Sequence, residues 1–235
     1  MSAAMGRRRP GGPVLLGGSV LLGGALVGAL SLAGGAAQAH PHAWIDVRVE
    51  LQFDAAGAVA SLRQTWLFDP YYTVFATEGM DADGDGRPDP DQLAELLAVH
   101  LGNLEEYGYF TAASAAGEAV AFGAPSGGVN AMRGDRLEMS FLLPLAAPAD
   151  PAAGGFSYRV YDPTYYIEML HAEEPPAVRL LDAPAGCDYR IEPANPAPEA
   201  VGLAAAADRS QRVVPGPGGA TIGALFAETV TVDCP

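Results

Sequence analysis

Trp44-Ile-Asp-Val-Arg-Val-Glu-Leu-Gln-Phe53, then Asp54-Ala-Ala-Gly57, then Val59-Ala-Ser-Leu-Arg-Gln-Thr-Trp-Leu-Phe68, is the stretch that decides the fold class. Ile45, Val47, Val49, Leu51 and Phe53 alternate with Trp44, Asp46, Arg48 and Glu50. A period of two with one apolar side is the signature of a strand with one buried face. Asp54 to Gly57 has turn composition, and Val59 to Phe68 reads as the returning strand. The chain therefore opens its folded part with a β-hairpin.

Upstream of that hairpin lies Ala37-Gln38-Ala39 and then His40-Pro41-His42. Arg7, Arg8 and Arg9 form a basic start, and a Gly-rich apolar run extends from about Val14 to Ala33. With the small-x-small site at 37–39, this reads as an export signal at 1–39, cleaved after Ala39. An uncleaved membrane anchor is the competing reading, and a twin-arginine signal fits the following residues poorly. Cleavage leaves one domain, 40–235, expected in the periplasm and starting at His40. The full chain carries 13 basic and 28 acidic residues, and the signal removes three of the basic ones. Ten against 28 gives −18, which opposes nucleic-acid binding and attracts cations. Every basic residue is an arginine.

Downstream of the hairpin, Thr73 to Met80 reads as a short helix. Leu93 to Tyr107 reads as a longer one, with Leu93, Leu96, Leu97, His100, Leu101 and Leu104 on one stripe and Gly108 as its C-cap. His100 is thus expected to be a packed core histidine. Short strands are expected around Ala116-Gly117. Arg136 to Pro144 and Gly155 to Tyr161 read as a second hairpin, ending at Tyr161-Asp162-Pro163-Thr164-Tyr165-Tyr166. The first hairpin ends at Phe68-Asp69-Pro70-Tyr71-Tyr72. The match predicts an internal repeat with Asp69 and Asp162 at equivalent strand ends, chance similarity being the alternative. Val178 to Leu181, Cys187 to Ile191 and Thr229 to Cys234 read as further strands. The Pro-, Ala- and Gly-rich segment 193–219 reads as a surface excursion with a short helix from Ala200 to Asp208. The whole is an α+β class domain, β-sandwich-like, with an EF-hand-like helix–loop–helix excursion.

That excursion is centred on Asp81-Ala-Asp83-Gly-Asp85-Gly-Arg87-Pro-Asp89-Pro-Asp-Gln92. Asp at loop positions 1, 3 and 5, Gly at 6 and Asp at 9 match a Ca²⁺ loop, with Arg87 supplying its backbone carbonyl at 7. Gln92 replaces the bidentate Glu at position 12, and Pro88 removes a backbone donor, so a single, weaker calcium site is expected. An ion-free acidic turn is the alternative, opposed by the mutual repulsion of the three aspartates. Cys187 and Cys234 are the two cysteines, and in an exported protein they are expected to form a disulfide; a two-cysteine metal site competes with this.

The histidines suggest a second metal. Pro41 lacks an N–H, which blocks square-planar binding through the second and third amides of the mature chain. The His40 amine and imidazole with the His42 imidazole remain, arranged as a copper brace, or as imidazoles joined by carboxylates in a zinc, nickel or cobalt site. Asp46, Asp69 and Asp162 are the candidate carboxylates. A solvated N-terminus is the plain alternative. His171 follows Glu168 at i+3 and reads as a surface histidine with secondary metal or pH-sensitive potential. No hydrolase, metalloprotease or phosphate-loop motif is present, so no enzyme activity is expected.

One set of motifs is distinctive in combination: His40-Pro-His42-Ala-Trp-Ile-Asp46, Trp66-Leu-Phe-Asp69, the acidic loop followed by Leu93-Ala-Glu-Leu96, Glu106-Tyr-Gly-Tyr-Phe110, Tyr161-Asp-Pro-Thr-Tyr-Tyr166 and Phe226-Ala-Glu-Thr-Val-Thr-Val-Asp-Cys234. Together they resemble a family of bacterial periplasmic proteins, a domain of unknown function catalogued as a periplasmic component of an ABC-type transport system. Its genes often lie beside those of NicO-type nickel/cobalt transporters, and some members are tied to zinc acquisition. The resemblance implies a metal-binding accessory protein partnered by such an inner-membrane transporter. The competing function is a calcium-stabilised extracytoplasmic interaction module with no transition-metal role.

Overall fold

The computed structural model describes residues 43–206, 215–216 and 219–235. Along the chain these form β1 (Ala43–Phe53), β2 (Val59–Phe68), α1 (Pro70–Ala76), α2 (Pro90–Leu104), β3 (Thr111–Ala115), β4 (Glu118–Val120), β5 (Ser126–Arg133), β6 (Arg136–Ala149), β7 (Phe156–Val160), β8 (Ile167–His171), β9 (Val178–Leu181), β10 (Asp188–Glu192), α3 (Pro198–Ala206) and β11 (Thr229–Asp233). One sheet runs β5-β6-β2-β1-β8, with β9 also paired to β1; the other runs β10-β11-β7-β3-β4. Eleven strands and three α-helices among the described residues make this an α+β, sandwich-like domain.

The opening hairpin forms as expected, in register from Ile45↔Phe68 to Phe53↔Val59. Its alternation becomes burial: Ile45, Val47, Val49, Leu51 and Phe53 all face the core. From the opposite sheet come Phe156, Tyr158, Val160, Val230 and Val232. Trp66 fills the middle, edge-on to Phe141 and stacked near Phe110. Such aromatic pairs favour stacked or edge-to-face contact because their ring faces are negative and their edges positive. Gln64 sits beside Trp66 with no exposure, accepts from its Nε1 at 2.8 Å and donates to Thr111 Oγ1 at 2.5 Å. A polar group buried between sheets is tolerated only when its hydrogen bonds are made.

The second hairpin is corrected, and two strands appear where none was expected. Arg136–Pro144 and Gly155–Tyr161 do not form a hairpin: β6 pairs with β2 and β5, whereas β7 crosses to the other sheet and pairs with β3 and β11. The repeat is therefore not a duplicated β unit. β5, Ser-Gly-Gly-Val-Asn-Ala-Met-Arg, is a strand without alternation. It forms because β6 offers an edge and α2 covers it, with Gly128 close enough to Leu97 that a Cβ would lie 3.0 Å from a leucine methyl. β8 is a strand too, although Glu168 and His171 have helical spacing; it adds in parallel to β1, with Ala43 opposite Ile167. After an excursion at 172–177 the chain returns to the same edge as β9, with Val49 opposite Val178.

Cys187 and Cys234 are bonded, 47 residues apart in sequence. The bridge joins the ends of β10 and β11 beyond the Asp188↔Asp233 pair. β10 is an edge strand held to its sheet through β11 alone. Replacing both cysteines by serine should cost about 2–5 kcal/mol, since closing a loop of this length restricts the unfolded chain. Hydrogen exchange should locate the loss: amides of 188–192 should open well before those of β1. Unchanged melting and uniform protection would show the bridge to be dispensable.

Candidate functional site

Four groups of polar residues could bear function, and the fold treats them differently. The first is the acidic loop between α1 and α2. Asp81, Asp83 and Asp85 are exposed, and one oxygen from each falls within 4.8 Å of the others. Backbone donors aim them: Gly86 N to Asp81 at 2.9 Å, Asp85 N to Asp83 at 3.0 Å and Arg87 N to Asp85 at 2.8 Å. Gly84 and Gly86 have φ of +77° and +85°, where a side chain would be strained. Asp89 turns back instead, accepting from Ala82 N at 2.8 Å. With its amide oriented to satisfy both ends, Gln92 donates to Met80 O and to Asp89. The loop thus gathers three carboxylates at the positions where a hard cation takes oxygen ligands, while Asp89 and Gln92 brace the loop's closure.

The second group stands where β1 and β8 begin. Asp69 is buried; Oδ1 accepts from Tyr71 and Tyr72 N–H at 2.8 and 2.9 Å, and Oδ2 accepts from Trp44 N–H at 3.0 Å. Asp162 is buried as well. Oδ1 accepts from Thr164 N–H at 2.8 Å, and Oδ2 from Tyr166 and Ile167 N–H at 2.9 and 3.0 Å. Each aspartate caps the turn that follows it and also holds the first amides of a strand. Both, expected as metal ligands, set their oxygens on backbone N–H groups, and Asp162 also accepts from the Thr164 hydroxyl. The repeated aromatic-Asp-Pro pattern is a repeat of this local chemistry. Gly223 packs so tightly against the Asp162 carbonyl that a Cβ would lie 1.8 Å from it.

Asp46 differs from both. Its side chain is nearly half exposed and is bonded to Arg136 Nη1 at 2.8 Å. Arg136 also donates to the carbonyls of Phe68 and Leu67, tying β6 to the end of β2. Asp46 opens onto a groove of about 460 Å³ that is also lined by Arg48, His171, Glu173, Glu174 and Glu228. His40 and His42 lie outside the described residues.

The third and fourth groups are histidines. His171 is not a surface residue: its side chain is 5% exposed. Nδ1 lies 2.8 Å from Glu228 Oε2, Nε2 lies 3.2 Å from Tyr158 Oη, and its backbone N–H donates to the same Glu228 oxygen. An ionised carboxylate only accepts, so His171 Nδ1–H donates to Glu228. Burial, reinforced by Tyr189 and Glu228, pushes the Tyr158 hydroxyl well above 10, so it keeps its proton. Burial also acts to raise the Glu228 carboxyl, but the two His171 hydrogen bonds and the His171 charge outweigh it and hold that carboxyl below 4.5. His100 packs as expected, against Phe68 and with Nε2 3.2 Å from Tyr72 Oη; burial lowers its affinity for a proton. Sequence inspection missed Arg136, Tyr158 and Glu228, because no periodicity relates residue 171 to residue 228. The one available signal for Glu228 was its place in the Phe226–Cys234 motif.

A carboxylate depressed by folding stabilises the native state above its unfolded value. That stability is lost as pH falls through the folded value. The wild type should therefore lose melting temperature below about pH 4.5, partly through Glu228. Glu228→Gln should be less stable at pH 7 and show a shallower decline between pH 5 and 3. Parallel pH profiles for the two proteins would remove Glu228 from the acid transition.

Among the described residues, no helix is long and apolar enough to cross a membrane. A relative in Haemophilus influenzae, described as "Uncharacterized protein", is 25% identical over 199 residues, covering 83% of this chain and 91% of its own. No solved structure matches. A family described as "Protein of unknown function (DUF1007)" matches residues 25–234. With nearly all of the folded domain inside that match, the chain belongs to the DUF1007 family.

Proposed function

We propose that this protein is a periplasmic, non-enzymatic metal-binding accessory protein of a NicO-type divalent transition-metal transport system, with a separate structural calcium site. The observation that carries the metal-binding reading is the Asp81–Asp83–Asp85 group, three exposed carboxylates held together by backbone donors. Unscreened like charges at that separation repel, and a bound cation converts the repulsion into attraction. In this reading Ca²⁺ takes those oxygens together with the Arg87 carbonyl. Asp89 and Gln92 stand outside the carboxylate group and brace it, so affinity is modest and suited to the calcium levels outside the cytoplasm.

The transition-metal part is supported by the His-Pro-His start of the mature chain and by Asp46, four residues beyond His42 on β1. Asp46 opens onto a groove with three glutamates, which favours a cation despite the two arginines. His40 and His42 supply imidazoles for Zn²⁺, Ni²⁺ or Co²⁺, and the free amine admits Cu²⁺. Asp69 and Asp162 hold the strand starts beside this position. The chain's acidity raises the local cation concentration. The second reading, a calcium-stabilised interaction module, keeps the loop and drops the histidines.

Two measurements separate these readings. Calorimetric titration of the exported protein with Zn²⁺, Ni²⁺, Co²⁺ and Cu²⁺ should show binding that His40→Ala/His42→Ala abolishes, with melting in the absence of metal unchanged. Equal binding by both proteins would overturn the transition-metal site. Separately, calcium at 100 times its dissociation constant should stabilise the fold by about 2.7 kcal/mol. Asp81→Ala/Asp83→Ala should remove that increment. A calcium-independent melting temperature in the wild type would leave the loop an ion-free turn.

A further inference from the structure

A cavity of about 180 Å³ lies at the end of β2, lined from α1 and α2 as well, and neither metal site makes use of it. Two ring pairs line it. Phe68 and Tyr72 stack with centroids 4.7 Å apart, and Trp66 and Phe110 with centroids 6.1 Å apart. Phe110 reaches the wall through an unfavourable backbone conformation. Gly108, Tyr109 and Phe110 are successive left-handed residues, with φ of +61°, +56° and +53°. Glycine adopts that region freely, whereas a Cβ disfavours it for tyrosine and phenylalanine. Neighbours hold the turn: Tyr161 N–H donates to the Phe110 carbonyl at 2.8 Å, and the Thr111 hydroxyl donates to the Tyr109 carbonyl at 2.8 Å. Non-glycine residues persist in such a conformation where their surroundings fix them, and they cluster at ligand sites. The Glu106-Tyr-Gly-Tyr-Phe110 motif thus has a use that metal binding does not give it.

His100 adds one polar feature to the apolar wall. Its Nε2 lies 3.2 Å from Tyr72 Oη, and its Nδ1 is buried with no hydrogen-bond partner among the described residues. Burial lowers the proton affinity of His100, and burial with Asp69 raises the Tyr72 hydroxyl, so both are neutral at pH 7. No charged side chain lines the cavity among the described residues. A charged ligand would lose its hydration there with nothing to replace it. An apolar cavity of about 150 Å³ holds benzene, so this one takes a single ring with a small substituent. The imidazole selects the substituent. With Nε2 accepting from Tyr72, Nδ1–H is the free donor; with Nε2 donating, Nδ1 is the free acceptor. A hydroxyl both donates and accepts, and so satisfies either tautomer.

We propose that this cavity binds a small neutral phenol, its ring among the aromatic pairs and its hydroxyl on His100 Nδ1. The exported protein is mixed with 4-fluorophenol at pH 7 in a chelating buffer and followed by fluorine NMR, which keeps metal binding out of the measurement. Saturable binding at one site is expected, with a dissociation constant below about 1 mM. 4-Fluorobenzoate, the same ring with a charge, should bind about tenfold more weakly or less. His100→Phe keeps a ring and removes both nitrogens. It should weaken 4-fluorophenol by about tenfold or more and leave fluorobenzene within about twofold. Asn103 lines the cavity from an exposed position on α2. Asn103→Trp should therefore block 4-fluorophenol with melting unchanged, a test that leaves the core untouched. No saturable binding by the wild type, equal binding of the phenol and the benzoate, parallel losses of 4-fluorophenol and fluorobenzene in His100→Phe, or full binding by Asn103→Trp would each overturn the proposal.

Discussion

Two buried carboxylates, Asp69 and Asp162, hold the first amides of two neighbouring parallel strands, and the geometry of that end of the sandwich depends on them. A parallel pair starts side by side, so its leading N–H groups need partners that the ladder does not supply. An aspartate is acceptor-only, with four lone pairs on a short stem, and can satisfy such a group while capping the turn after itself. Asp69 does this for Trp44 and for α1; Asp162 does it for Ile167 and for the Pro163–Tyr166 turn. Trp44 and Ala43 are then fixed beside β8, which places Asp46 at the mouth of its groove.

The same residue type carries opposite roles a few residues apart. Asp81, Asp83 and Asp85 lie exposed on a glycine-bent loop, close to one another. Asp69 and Asp162 are buried and saturated by neutral donors. The first arrangement leaves a net field that attracts an ion; the second spends the charge on oriented dipoles. The histidines divide likewise. His171 is enclosed by Glu228 and Tyr158 and links the two sheets. His100 is enclosed by aromatic rings, and burial keeps it neutral.

The interior is built to keep the two sheets in one register. Gln64, Trp66 and Thr111 form a buried polar seam from β2 to β3, and His171 with Tyr158 forms another from β8 to β7. Apolar burial supplies most of the driving force, and it is indifferent to small slips of one sheet over the other. Hydrogen-bonded polar groups in the interior are costly when misaligned, so they select one arrangement. The disulfide closes the far edge, where β10 has a single neighbour.

Local physics was legible in the sequence. Alternation in 44–68 gave the hairpin because a half-buried strand needs it; helical spacing gave α2; Asp and Gly spacing gave the acidic loop; two cysteines gave the bridge. Each of these depends on neighbours within about a dozen residues, or on there being a single possible partner. What only the tertiary structure decided was everything set by partners far along the chain. β5 is a strand because β6 and α2 cover it, despite its glycines. β6 and β7 part to different sheets because each finds a better edge than the other, and β8 becomes a parallel strand at the free side of β1. His171 meets Glu228 across 57 residues. Whether an aspartate anchors backbone or faces solvent is likewise a matter of burial, which spacing does not encode.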